Sequence, residues 1–88
     1  MNIVLSGVLQ KHAQYQRNHS LPAGTVREAI DRLVEHFPGM GSVLLDSGGH
    51  VRKVHRLFLN GRQLSFEQVG EPVGSEDRLE ILTAIAGG

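Results

Sequence analysis

Two glycines, Gly87 and Gly88, end the sequence and are its plainest candidates for chemistry. A segment without Cβ atoms can extend into a narrow active site of another enzyme, where only its terminal carboxylate need react. Because a carboxylate is a poor electrophile, that enzyme would have to activate it with ATP. Glycine makes up 11 of the 88 residues, so the pair also arises readily by chance, and a frayed terminus is the alternative interpretation.

Five histidines suggest a metal site, but their spacing does not favour one. His50 and His55 are five residues apart in a predicted strand, so their side chains should point to opposite faces. His12, His19 and His36 share no ligand spacing, and the chain has no cysteine. We therefore predict no metal site and interpret the histidines as surface or boundary residues.

A basic stretch begins the second half of the chain. It could meet phosphate or an acidic protein face, or it could be the solvated flank of a strand. The nine basic residues are balanced by nine acidic ones, which argues against nucleic acid as a partner. The stretch comprises His50, Arg52, Lys53, His55, Arg56 and Arg62.

Serines and carboxylates form no catalytic arrangement, so an enzyme with its own active site is not expected.

One helix is strongly predicted and must position the rest of a single small domain. Thr25 and Glu28 have the spacing of a capping box, with Thr25 as the N-cap. Apolar residues then recur at steps of three and one, which forms one helical stripe. The predicted helix covers residues 26–37, and Pro38-Gly39 ends it.

The other predicted elements are short. Asn60-Gly61 is a strong two-residue hairpin turn. The predicted strands are residues 2–9, 13–20, 51–59, 62–65 and 78–83, with a turn at 10–12 and a short helical turn at 40–45. Strands around one helix predict an α+β fold, with one sheet and the helix packed on a single face. The domain spans residues 1–83, followed by a flexible diglycine tail at 84–88.

Side-chain alternation predicts an apolar partner surface on the outside of the sheet. If Leu79 and Ile81 face the core, Leu82 lies on the opposite face, and the same parity leaves Phe58 outside. Scattered exposed apolar residues are the alternative interpretation. The predicted surface comprises Phe58, Leu82, Arg78 and Val8, with Val4 as the alternative to Val8.

These segments together resemble the MoaD/ThiS family of ubiquitin-like sulfur carriers. The resemblance covers nearly the whole chain and rests on residues 24–30, 37–39, 57–61, 79–82 and 84–88. It implies the ubiquitin-like β-grasp fold, a mixed sheet of four to five strands with one main helix on one face. The length between the helix and residue 51 is more similar to MoaD-like and cysteine-pathway carriers than to thiamin carriers.

The resemblance also implies a mechanism for a carrier protein that is not itself an enzyme and binds no cofactor. A ubiquitin-activating-type adenylating enzyme would use ATP to adenylate Gly88, and a sulfur donor would convert it to a thiocarboxylate. An acceptor synthase, of which this chain could be the small subunit, would then receive the sulfur. Within the partner's active site would lie Ala84, Ile85, Ala86 and Gly87. The product (molybdopterin, cysteine, thiamin or a secondary metabolite) is left open.

Two other functions are compatible with the same residues. A ubiquitin-like modifier would be joined to target lysines through Gly88, whereas a plain interaction module would carry the diglycine by accident. Thr83 stands where the family often has proline, which predicts a less stiff start of the tail.

Without cysteines, a signal peptide or an apolar run of roughly 18–20 residues, the chain is expected in the cytoplasm and not in a membrane.

Overall fold

In the computed structural model, which describes residues 1–83, five strands form one mixed sheet. The strands are β1 (Asn2–Leu5), β2 (Asn18–Ser20), β3 (His55–Leu59), β4 (Arg62–Leu64) and β5 (Arg78–Thr83). Their order across the sheet is β2-β1-β5-β3-β4, with β1 parallel to β5 and every other neighbouring pair antiparallel. The predicted mixed sheet is confirmed, and the predicted tail at 84–88 lies outside the described residues.

Three α-helical segments accompany the sheet, α1 (Gly7–Gln10), α2 (Val26–His36) and α3 (Gly41–Leu44). The backbone N–H of Glu28 donates to Thr25 Oγ1 at 3.1 Å, and Glu28 Oε1 accepts from the Gly24 N–H at 3.1 Å. Thr25 therefore caps α2 as predicted, while the Glu28 side chain reaches one residue further back than in a standard capping box. The helix ends at His36, one residue before the predicted end.

The core lies between α2 and the inner face of the sheet. The buried side of α2 is a single stripe, as its apolar spacing predicts. The short helices α1 and α3 close the ends of this layer with Leu9 and Leu44, both buried. The central residues of the core are Ile3, Leu5, Val26, Ala29, Ile30, Leu33, Leu57, Leu59, Leu79 and Ile81. Within residues 1–83, no helix has the length and apolar character needed to cross a membrane.

The predicted first strand is wrong beyond Leu5. Residues 7–10 form α1, and a 3-10 turn follows at Lys11–Ala13. The helix α1 buries Leu9 and the turn buries Ala13, so an apolar run that resembled a strand supplies a core residue from a helix. The predicted strand at 13–20 is also shorter than expected. The 3-10 turn includes Ala13, and Gln14 follows it with a φ of 56°, which is not a strand conformation, so only β2 remains.

The predicted strand at 51–59 is correct only for β3. Val51 instead forms an isolated bridge with Leu45, and the turn between them is closed by Asp46. Its carboxylate accepts the backbone N–H groups of His50 and Gly48 at 3.0 and 2.9 Å. These bonds, chiefly the one from His50, lower the pKa of Asp46. The short helical turn predicted before this loop is α3.

The hairpin between β3 and β4 is confirmed. Asn60 and Gly61 have φ values of 51° and 86°, the left-handed pair that a two-residue I′ turn requires. The Asn60 side chain also donates to Asp77 Oδ1 at 3.0 Å and accepts the Arg78 N–H at 2.9 Å. The hairpin is thereby tied to the start of β5.

Candidate partner surface and the end of the last strand

The outer face of the sheet, opposite α2, carries two apolar side chains next to each other. In the antiparallel β3–β5 register, Phe58 lies opposite Glu80 and Arg56 lies opposite Leu82. Phe58 and Leu82 are therefore diagonal neighbours on one face. Leu82 is 37% exposed and Phe58 is half-buried. The structure places these two residues together, and their contact with a partner stays a prediction.

Arg78 shares this face, but on that face Glu80 lies between Arg78 and Leu82. The two charged side chains approach each other at 3.6 Å between Arg78 Nη2 and Glu80 Oε1. Val4 lies opposite Glu80 on the neighbouring strand and is only 5% exposed. A shallow groove of about 580 Å³ runs over Val4 and past Arg78. Arg78 thus borders this groove, while Val4 adds no exposed surface to the apolar pair.

Val8 occupies a different position from the one its predicted strand implied. It lies on α1 and is 44% exposed. The Ser6 N–H, just before this helix, donates to the Ile81 carbonyl at 3.0 Å, and α1 contacts β5. Val8 therefore belongs to the end of the sheet at which β5 ends, although it is not on the outer face itself.

The predicted basic stretch does not form one patch. Arg62 on β4 pairs with Glu71 at 2.7 Å, and Arg52 donates to the Ser42 carbonyl at 3.0 Å. Arg56 remains beside Leu82, where its guanidinium donates to the Lys53 carbonyl at 2.7 Å. Among residues 1–83, neither Lys53 nor Arg56 is ion-paired with a carboxylate. Positive charge therefore flanks the apolar pair where β3 begins.

His55 is not the surface or boundary residue that sequence analysis expected. It is 1% exposed, and both ring nitrogens are bonded: Nε2 lies 2.8 Å from the Val43 carbonyl and Nδ1 lies 3.1 Å from Thr83 Oγ1. His55 alternates with Leu57 and Leu59, which face the core. The same parity argument, applied one pair further back along β3, would have predicted that His55 faces inward.

The remaining candidate residues are few. Within residues 1–83, no three His, Asp or Glu side chains come close enough together to hold a metal ion. The predicted chemical group, Gly88, and the tail residues Ala84, Ile85, Ala86 and Gly87 lie outside the described residues. The structure therefore shows β5, the strand that precedes these residues, and the side chains around its end.

A five-stranded mixed sheet with one main helix across its inner face defines a ubiquitin-like β-grasp protein. The sequence assigns the family: the ThiS family model matches residues 4–88. The chain belongs to the ThiS family, which confirms the predicted MoaD/ThiS resemblance and the predicted β-grasp fold. This membership supports the assignment of the protein as a ubiquitin-like sulfur carrier or modifier.

Solved structures show the same fold. SAMP1 from Haloferax volcanii has a TM-score of 0.87 and 24% identity, over 100% of this chain and 98% of that one. A chain of the Amycolatopsis orientalis BexX/CysO complex has a TM-score of 0.86 and 23% identity, over 99% and 98%. CysO of Mycobacterium tuberculosis has a TM-score of 0.83 and 21% identity, over 96% of this chain and 98% of that one. No curated protein matches the chain significantly in sequence.

Proposed function

We propose that this protein is a sulfur carrier whose Gly88 carboxylate is activated by a ubiquitin-activating-type adenylating enzyme. The observation that carries the proposal is the ThiS family match, which extends through the terminal diglycine to residue 88. The protein itself binds no cofactor in this scheme, since ATP is bound by the partner. We place the reaction in the cytoplasm, where that ATP is supplied.

The proposed chemistry needs only the terminal carboxyl group of this chain. A Gly88 carboxylate oxygen attacks the α-phosphorus of ATP, and pyrophosphate leaves. A sulfur donor then supplies hydrosulfide, whose sulfur attacks the acyl carbon; the bond to AMP breaks, AMP leaves, and a thiocarboxylate results. The thiocarboxylate gives its sulfur to an acceptor synthase, which produces a sulfur-containing cofactor or metabolite. Molybdopterin, cysteine, thiamin and secondary-metabolite pathways all fit this chemistry.

The partner surface in this proposal consists of Phe58, Leu82, Arg78 and Val8. Support comes from the juxtaposition of Phe58 and Leu82 on the outer face, with Leu82 one residue before Thr83 at the end of β5. Five residues follow Thr83, and an extended chain spans about 3.3–3.6 Å per residue. The activated carboxylate can therefore lie at most about 18 Å from Thr83, which limits how far the partner's ATP site can be from this surface.

A second function, conjugation to lysines of other proteins through Gly88, is supported by a different observation. Small archaeal modifier protein 1 of Haloferax volcanii shares the fold over 97% of this chain. Both functions need the same adenylation of Gly88 and differ in the group that next attacks the acyl carbon. Intact mass after incubation with the activating enzyme, ATP and a sulfur source reveals a thiocarboxylate in one case. Conjugates on target lysines reveal the other.

Deletion of Gly88 tests both functions together. The shortened chain would hold its carboxylate about 3.3–3.6 Å short of the ATP site, and a displacement of even ~1 Å can reduce the rate about a hundredfold. We expect ATP–pyrophosphate exchange by the partner enzyme to fall by about that factor or more. Extension beyond Gly88 should block exchange equally.

The control for this experiment is the thermal melt of each variant. The domain core comprises residues of the 1–83 segment, so the melting midpoint should not change when Gly88 is removed. Full exchange with an intact fold would contradict the carrier and the modifier functions and would leave the plain interaction module.

A further inference from the structure

The last described residue, Thr83, is held by a side-chain bond from the interior of the protein. On one side of β5, pairing with β1 ends at Leu5 opposite Ile81. On the other side, β3 begins at His55, opposite Thr83. The end of β5 therefore has a strand neighbour on one side only, and the His55 ring supplies an additional contact to Thr83 Oγ1 at 3.1 Å.

The hydrogen-bond partners of His55 determine which ring nitrogen carries the hydrogen. A carbonyl oxygen only accepts, so Nε2, 2.8 Å from the Val43 carbonyl, must be the N–H donor. In the neutral ring Nδ1 is then an acceptor, and the Thr83 hydroxyl donates to it. The ring thus joins the end of α3 to the end of β5, and one tautomer satisfies both contacts.

The polarity of this pair is unusual for its position. The inward-facing pairs that precede it between β3 and β5 are Leu59–Leu79 and Leu57–Ile81. At the next inward position the sheet places an imidazole and a hydroxyl instead of two apolar side chains. A buried polar pair is stable only when its groups are hydrogen-bonded, which makes the bond directional where an apolar contact would not be.

We propose that His55 is a positioning residue that fixes the point from which the tail enters the partner's active site. The inference rests on the proposed function, because it concerns delivery of the Gly88 carboxylate. With the bond intact, Thr83 is held both by its pairing with β3 and by the His55 ring. Without it, only the one-sided pairing with β3 holds Thr83, so this residue frays more readily and must be ordered again whenever the tail binds.

The decisive comparison is Thr83→Val with Thr83→Ser. Valine keeps the branched shape and removes the hydroxyl, whereas serine keeps the hydroxyl. Re-ordering one backbone residue should raise the KM for the carrier in ATP–pyrophosphate exchange by a factor of about 5 to 30, with kcat unchanged. Thr83→Ser should restore most of the affinity. Leu64→Val, at a buried position on the edge strand β4, is the control for a general loss of stability.

Two NMR measurements on the isolated protein test the bond without the enzyme. Long-range ¹H–¹⁵N correlation should show the hydrogen of the His55 ring on Nε2. The ¹⁵N heteronuclear NOE of residue 83, which reports picosecond-to-nanosecond motion, should fall in Thr83→Val and not in Leu64→Val. If deletion of Gly88 leaves exchange intact, the proposed function fails while these NMR results still decide the bond.

The proposal is overturned by any of three results. The first is a hydrogen on Nδ1 of the His55 ring. The second is a Thr83→Val protein with the wild-type KM. The third is a KM increase in Leu64→Val equal to that in Thr83→Val, which would assign the effect to lost stability and not to position.

Discussion

Truncation of Leu82 to alanine is the most direct test of the partner surface. Complete burial of a leucine side chain contributes about 1.5–3 kcal/mol. Leu82 is 37% exposed in the free protein, so a partner that covers this remainder gains about 0.6–1.1 kcal/mol from it. Leu82→Ala should therefore weaken binding to the activating enzyme about three- to sixfold.

The same substitution should leave the domain folded. The part of Leu82 that is already covered contributes roughly 1–2 kcal/mol to folding. A domain of 88 residues has a free energy of unfolding of about 4–13 kcal/mol, which exceeds that loss. Thermal melts will identify a temperature at which the variant and the wild type are both fully folded.

Isothermal titration calorimetry at that temperature measures the affinity, and Tyr15→Ala is the control. Tyr15 is 79% exposed and precedes β2, the edge strand remote from β3 in the sheet order. It is more exposed than Leu82 and is not one of the four residues of the proposed surface. Wild-type affinity in Leu82→Ala, or an equal loss in Tyr15→Ala, would refute the assignment of this face.

Two further predictions concern stability. Leu33 is fully buried on α2, so Leu33→Ala should lower the free energy of unfolding by about 2–5 kcal/mol; an unchanged midpoint in denaturant would contradict the assigned helix face. The pKa of Asp77 is lowered from 3.8, first by the bond from Asn60 and then by that from the Gly74 N–H. A lowered folded-state pKa gives stability that is present above about pH 4 and is lost as pH falls through the folded value. Urea denaturation of Asp77→Asn between pH 2 and 7 should therefore show lower stability at neutral pH and a weaker acid dependence, whereas Glu76→Gln, the matched neighbour, should behave as wild type.

Local signals were sufficient to predict the elements whose ends are set by neighbouring residues. The capping side chains of Thr25 and Glu28 mark the start of α2, and the positive φ of Asn60 and Gly61 marks the hairpin. The strand β5 was predicted with its observed bounds. These elements depend on turn chemistry and on periodicity, and both are visible within a dozen residues.

Tertiary contacts determine what could not be predicted. The apolar run at residues 2–9 does not indicate that the chain leaves the sheet after Leu5, because α1 buries Leu9 by packing over the sheet's end. The predicted position of Val8 was therefore wrong, while Phe58 and Leu82, which depend only on strand parity, were placed on the outer face. The partners of His55 come from α3 and β5, so no local pattern could reveal them.

The parallel pairing of β1 with β5 has a consequence for how the chain folds. These strands lie side by side in the middle of the sheet but come from opposite ends of the described chain. Contacts so distant in sequence raise the contact order and slow folding, since loop-closure entropy is lost before the contacts form. During synthesis, β1 and β3 have no shared neighbour until Arg78–Thr83 has left the ribosome. The sheet is therefore completed only when β5, its last strand in sequence, pairs between β1 and β3.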